Sequence, residues 1–528
     1  MRKPVGSLVG IILAGMATLC VTPRPAAAQD ANVQRNPIIL HAERQGVSAP
    51  LRDIIRNTPP APMEFHQIME PGRVRSPITS GVPDPVEQRA KLPALPSLFE
   101  LNFAGIGQGD YGYNDYFPVP DTNGAAGSTQ YVQFINDDFA IFDKSTGALI
   151  SGPTPAMDLW AGLGGTCAQP YQGDIVAKYD QMANRWVMTQ FEFESEPYMF
   201  CVAVSQSDDA TGAYYLYELS FGENFPDYPK ISVWPDAYYA TVNNFESNGD
   251  FAAEACALDR TAMLTGGAMS AQCFMNSDEA SWLPSDLDGY TAPPSGEPAF
   301  FVDLYDSTDL HLFKFHVDFT NPNNTTFTGP TAITVASYSE ACEGGACIPQ
   351  PSPGDELDSL GDRLMFRLAY RNFTTHESLL VSHSVTPSNG QASAARWYEI
   401  QNANVTPVIN QQGTFANSKA ALWMPSIASD SAGNFAMGFS GSSSSIVPGI
   451  AVTGRLASDP LGSMRPLQIM KEGIGVEEYY RWGDYSDMEI DPVDDCTFWY
   501  TTEYVKTTNP TGNNWNTQIA NFKIPGCS

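Results

Sequence analysis

The sequence predicts an all-β protein, folded as a β-propeller of seven four-stranded antiparallel blades, with six blades as the alternative. Three observations carry the expectation. Among 528 residues there are 43 glycines and 41 prolines, 43% are apolar and only 16% are charged, a balance that suits exported all-β chains rich in turns. No segment keeps a long helical period, and a short helix competes only at residues 253–263. A pattern of apolar strand, Asp-bearing turn and aromatic or β-branched strand recurs along the chain.

Taken in order, the chain opens on a charged start at Arg2 and Lys3. An apolar stretch at 6–21 and Pro25-Ala26-Ala27-Ala28 before Gln29 complete a secretory signal over residues 1–28. Bulky Leu19 before Cys20 argues against a lipoprotein signal, and no other run is long and apolar enough to span a bilayer. A soluble protein, secreted or periplasmic, is expected. Residues 29–96 hold 11 prolines. Proline removes ladder donors and blocks helix interiors, so an extended leader without its own core is expected, lying along the body or acting as a spacer.

The propeller domain is placed at 97–528, with order beginning at the alternating LFELNFAGI of residues 98–106. The recurring turns are FDKSTGAL at Asp143, YDQMANRWV at Asp180, WPDAYYATV at Asp236 and LYDSTDLHLF at Asp306. AYRNFTTHESLL at Arg371, ASDSAGNFAM at Asp430 and IDPVDDCTFWY at Asp491 follow, at gaps of 37 to 70 residues. Asp accepts turn N–H groups, Gly or Asn tolerates positive φ, and the aromatic packs between sheets. One such sheet cannot cover both its faces alone, whereas a ring of them can. A double β-sandwich would explain the strands but not the recurrence. The last strand, 515–524, or the first, 98–106, closes a shared blade.

Apart from Cys20, eight cysteines remain. Their even number after export predicts disulfides, with sequence neighbours paired: 167–201, 256–273, 342–347 and 496–527. No CxxC and no suitably spaced His supports zinc. Residues 97–528 carry 17 basic and 52 acidic side chains. Such a surface repels nucleic acid and anionic lipid. A monomer is expected.

The sequence also predicts where chemistry sits. Gly-Asp pairs precede three putative inner strands, at Gly173-Asp174, Gly361-Asp362 and Gly483-Asp484. Asp121-Thr-Asn-Gly124 precedes another, and Asp227-Tyr-Pro-Lys230 a fifth. Asp121, Asp174, Asp362 and Asp484, with Lys230, Arg363 and Arg481, are expected at one mouth of the channel. Carboxylates and cations gathered there could bind a polar ligand or do acid–base work, and the same carboxylates could instead cap the loops before their strands. Asp174, Asp484, Arg363 and Arg481 are the candidate catalytic residues; Lys230, Asp362 and Asp121 are the candidate ligand-binding ones. Asp115, Asp121 and Asn123 are a candidate Ca²⁺ set. His376 and His383 stand an odd distance apart on one strand, so they face opposite ways. HExxH, GxSxG and phosphate-loop patterns are absent, and Gly105-x-Gly107-x-Gly109 is followed by DYGYNDYFPVP, which cannot open a helix.

The strings PDTNGAAGSTQYVQFIN (120–136), YDQMANRWV (179–187), DYPKISVWPD (227–236), LGDRLMFRLAYRNF (360–373) and RWGDYSDMEIDPVDDCTFWYT (481–501) resemble a family of exported bacterial proteins. The resemblance spans roughly 97–527. It implies a propeller and carries no reaction. Ser429-Asp430-Ser431-Ala432-Gly433-Asn434 is similar to the Asp-box turn of sialidase-type propellers, Ser-x-Asp-x-Gly-x-Thr-Trp, without the Thr-Trp. That likeness implies arginines on a carboxylate, for which Arg363 and Arg481 are candidates. No third arginine and no Tyr–Glu pair matches.

Together these readings predict an exported propeller that binds extracellular glycan or protein at its channel mouth. A glycoside hydrolase or polysaccharide lyase at the same mouth is the second expectation, and a non-catalytic surface scaffold the third.

Overall fold

The computed structural model describes Met1 and residues 33–54, 77–114, 117–170, 172–192, 196–246, 251–507 and 514–527. The expected signal peptide lies outside the described residues. The protein is nearly all β, built of curled antiparallel sheets. The repeating unit is an antiparallel meander of four strands.

The first meander is Asn123–Ala126, Gln130–Phe134, Asp138–Asp143 and Leu149–Pro155. The second is Gln172–Asp180, Arg185–Glu192, Tyr198–Ser205 and Tyr214–Gly222. Phe225–Val233, Tyr238–Phe245, Phe251–Leu258 and Ser270–Asn276 make the third. Leu283–Asp288, Ala299–Leu304, Asp309–His316 and Thr326–Thr334 make the fourth. The fifth is Met365–Asn372, Glu377–Val385, Ala394–Gln401 and Val408–Phe415. The sixth is Ala421–Ser429, Phe435–Ser443, Ile446–Arg455 and Gln468–Lys471. The last contributes Asp487–Ile490, Thr497–Val505 and Trp515–Lys523, and its outer strand is Phe99–Gly107 from the start of the chain. Both strands expected to close the shared sheet therefore do so, paired with one another.

The first strand of every meander packs beside the first strand of the next, and Asp487–Ile490 packs back against Asn123–Ala126. Apolar clusters fill the space between consecutive meanders. The same holds between the last and the first, where Tyr131 stacks on Trp499 with ring centroids 5.0 Å apart. All nine tryptophans are buried. Burying these large rings between sheets supplies the apolar area that a lone meander cannot find.

Five of the seven recurring turns join the first and second strands of a meander. Two do not. Asp143 stands between the third and fourth strands of the first meander, and Asp306 between the second and third of the fourth. The reason is local chemistry. Asp143 accepts the Ser145 and Thr146 amides, Asp306 those of Thr308 and Asp309, and Asp180 those of Met182 and Ala183. An Asp turn therefore marks a hairpin and not which hairpin. Within 253–263 the structure has the end of a strand and only one helical turn, Arg260–Met263, capped by Asp259.

Residues 33–54 and 77–96 run along the outside of the sheets. Val33–Gln34 adds to the edge of Thr326–Thr334. Ile38–Val47 lies between Tyr214–Gly222 and Ser270–Asn276, antiparallel to both, and so joins two meanders into one nine-stranded sheet. Farther on, buried Asp84 pairs with Arg396 at 3.0 Å and accepts from Thr414. Four disulfides form, Cys167–Cys201, Cys256–Cys273, Cys342–Cys347 and Cys496–Cys527, as the spacing predicts. No helix among the described residues is long and apolar enough to cross a membrane.

Candidate functional site

The first strands lie side by side, so one end of the assembly gathers the residues with which they begin and the other end those with which they finish. Backbone conformation shapes the leading end. Asp121, Asp174, Tyr228, Ser281, Leu360 and Met424 all have φ between 41° and 53°. In three first strands this left-handed residue sits in a bulge, where pairing shifts between Gly173 and Val176, between Asp227 and Lys230, and between Trp423 and Ser426. A bulge bends its strand and re-aims the neighbouring side chains. Asp tolerates this conformation; Tyr, Leu and Met do so at a cost.

Two loops build one wall of the leading end. Residues 335–364 connect the fourth and fifth meanders, and residues 472–486 the sixth and seventh. Gln350 bonds Glu477 through both its amide nitrogen and its amide oxygen, and the Asp358 amide donates to the Tyr480 carbonyl at 2.8 Å. Cys342–Cys347 and the Ser359 hydroxyl, which stands within hydrogen-bond distance of the Ala341 and Gly345 carbonyls, hold the first loop at its base. In the second, Trp482 reaches Ser440 at 3.1 Å and packs on Trp423. Gly483 follows because a Cβ there would stand 2.7 Å from the Glu503 carboxylate, which accepts the Gly483 amide.

These elements bring the sequence-predicted residues together. Asp121 is buried and accepts the Asp484 amide at 2.6 Å and the Asn136 side chain at 2.7 Å. The Tyr485 hydroxyl lies 3.0 Å from Asp174 Oδ2, 2.8 Å from the Pro229 carbonyl and 3.2 Å from Lys230 Nζ. Arg363 pairs with Asp362 at 2.9 Å, and Arg481 with Asp484 at 3.3 Å. Asp174, Asp362, Arg363, Arg481 and Asp484 keep part of their surface in solvent, whereas Asp121 and Lys230 are buried.

Burial and mutual repulsion shift these groups. Asp174 is pushed up to about 8 by burial first, then by Asp227 and Asp484. Asp227 and Asp358 are each pushed up to about 6, again by burial and then by Asp484. Burial holds Asp121 well above the carboxylate range and Lys230 well below the ordinary amine. The arrangement can donate a proton from Asp174 near neutral pH and can hydrogen-bond a polar ligand through Arg363 and Arg481.

Beneath this end the sequence reading missed a buried ionic layer. Arg367 reaches Asp288 at 2.7 and 2.8 Å, Asp286 at 3.2 Å and Asp487 at 3.7 Å. Lys178 contacts Asp286 at 2.6 Å and also Glu489. Four carboxylates face two cations, and burial pushes Asp487 well above its ordinary range. Asp286, Asp288, Asp487 and Glu489 are spaced two apart on their strands, the one signal that could have found them. At the trailing end Tyr290 donates to the Val493 carbonyl, Arg371 pairs with Asp495 at 2.8 Å and Lys144 with Asp491 at 2.9 Å.

Of the candidate Ca²⁺ set, Asp115 lies outside the described residues. Asn123 Oδ1 accepts the Ala177 amide while its nitrogen donates to Asp487, and Asp121 is engaged as above, so the two do not face a common point through free oxygens. His383 is buried against Tyr398, and His376 stacks on Phe373.

No protein-family model matches the chain, and no curated protein matches it. Among solved structures it is similar to a subtype N10 neuraminidase-like protein of a little yellow-shouldered bat isolate, at 9% identity and TM-score 0.36, covering 66% of this chain and 97% of that one. It is also similar to an exo-β-1,3-galactanase from Clostridium thermocellum, at 7% identity and TM-score 0.31, covering 81% and 97%. A third is the WD40 domain of SCAP from fission yeast, at 10% identity and TM-score 0.32, covering 75% and 79%. At such TM-scores none of the three carries an argument about this chain.

Proposed function

We propose that the seven meanders are the blades of a β-propeller and that the exported protein binds extracellular glycan or protein at the mouth where the inner strands begin. The cyclic contact of first strands, returning from Asp487–Ile490 to Asn123–Ala126, supports the blade count. Four disulfides suit an oxidising compartment outside the cytosol. One observation carries the binding reading. Side chains at the starts of five meanders converge at this end, and Arg363, Arg481, Asp362 and Asp484 reach solvent there in charge-balanced pairs. At the trailing end the charged groups are instead bonded from loop to loop, Arg371 to Asp495 and Lys144 to Asp491.

A glycan array probed with the mature chain tests the reading. Arg363→Gln and Arg481→Gln should each weaken any captured glycan about tenfold, the loss of one charge-assisted hydrogen bond. Undiminished binding by both variants would place the site elsewhere.

Asp174 favours a second reading. Its proton is held to about pH 8, and Tyr485 orients the carboxyl. A general acid at the mouth, with the Asp484 carboxyl at the same end, would suit glycosidic bond cleavage. Reducing-sugar release from a bound polysaccharide, lost by at least about a hundredfold in Asp174→Asn, would support catalysis. Binding with no release by the wild-type chain would reject it.

A further inference from the structure

Tyr228 is a member of this mouth to which the sequence assigned no role. Its backbone is left-handed at φ 53°, unusual for an aromatic residue and costly. The side chain is 2% exposed, yet its hydroxyl finds no hydrogen-bond partner among the described residues. Lys230 Nζ lies 2.8 Å from the ring centroid on one side, and the Arg363 guanidinium 4.9 Å from it. The carboxylates of Asp484, Asp362 and Asp174 act on the phenol from the mouth. A buried hydroxyl without a partner is destabilising, so a fold that keeps one in a strained residue at a site points to a group supplied from outside.

The charges around it indicate which group. Asp121, Asp174, Asp227, Asp358, Asp362 and Asp484 surround this end against Lys230, Arg363 and Arg481. Arg363 and Arg481 already have carboxylate partners. An acidic sugar would have to break those pairs. A cationic group brought to the Tyr228 ring would meet Arg363. An uncharged hydroxyl or carbonyl oxygen pays neither cost. Arg363, paired with its neighbour Asp362, lies over the ring.

Resting on the glycan-binding reading above, we infer that the mouth takes an uncharged glycan and that the Tyr228 hydroxyl, with Arg363 turned aside, donates a hydrogen bond to one of its oxygens.

The test uses the mature chain and its Tyr228→Phe variant, which keeps the ring and both cation contacts and removes only the hydroxyl. Binding is measured to a neutral glucan, mannan and galactan and to the uronate polymers alginate and polygalacturonate. Melting temperature is measured without ligand. The wild type should bind a neutral polymer and neither uronate. Tyr228→Phe should bind that polymer about tenfold more weakly and melt no lower than wild type, because an unpaired hydroxyl has been removed. Equal binding by the variant, a lower melting temperature, or uronate binding as tight as neutral would each overturn the inference while leaving the glycan reading in place. Failure of the wild type to bind any of the five polymers or any glycan on the array would defeat the glycan reading, and this inference with it.

Discussion

At the scale of single residues, burial decides what each ionisable group does. Asp174 titrates at about 8 in the folded protein, so the fold holds a proton that the unfolded chain releases near pH 4. The sign follows. Between roughly pH 4 and 8 the native state binds more protons than the unfolded state, and stability contributed by Asp174 declines as pH rises through that window. Urea midpoints measured at pH 5, 6, 7 and 8 should therefore fall, and Asp174→Asn should flatten the trend; an unchanged slope in the variant would show that the carboxyl is ionised throughout. Arg367 presents the opposite case, a cation wholly enclosed by carboxylates. Arg367→Met leaves those charges buried and uncompensated and should cost ~3–5 kcal/mol in denaturant unfolding. Asp121 and Asp174 were legible in the sequence because Asp both caps a loop and tolerates positive φ. Tyr228, Leu360 and Met424 occupy the same backbone conformation with residue types that give no such hint.

At the scale of elements, the belt strand Ile38–Val47 has the largest consequence. Tyr214–Gly222 and Ser270–Asn276 would otherwise present open edges, each a template for another chain. Removing residues 29–48 should lower the melting temperature and produce concentration-dependent oligomers by light scattering. A monomeric truncated chain that melts like wild type would show the strand to be dispensable. Proline content predicts an extended segment over residues 29–96. It could not say where the segment lies, because edge pairing is specified by the partner's free ladder groups and not by the strand itself. The Asp turns show the same limit: Asp143 and Asp306 make the hairpin their side chains dictate, at a position in the meander that only packing assigns.

At the scale of the whole molecule, closure depends on residues from both ends of the chain. Phe99–Gly107 completes the sheet of Trp515–Lys523, and Cys496–Cys527 ties the last hairpin over a separation of 31 residues. Replacing both cysteines by serine should cost about 3–4 kcal/mol by loop-closure entropy, read as a lower urea midpoint at unchanged m-value. A loss below ~1 kcal/mol would mean that the sheet alone holds the seam. Truncation before residue 108 should cost more, because it removes the outer strand itself and uncovers Trp515–Lys523.

The sequence by itself determined what depends on neighbours along the chain: strand periodicity, the Asp turns, the disulfide pairs, and the Asp-bearing starts of several first strands. Tertiary structure alone decided what depends on residues hundreds of positions apart. It joined Lys178 and Arg367 to carboxylates of two other meanders, laid Ile38–Val47 between two meanders, and left the Tyr228 hydroxyl buried without a hydrogen-bond partner among the described residues. The physical reason is that a turn is settled by bonds within a few residues. Burial, electrostatic pairing and an unfilled hydrogen bond belong to the space that distant segments enclose.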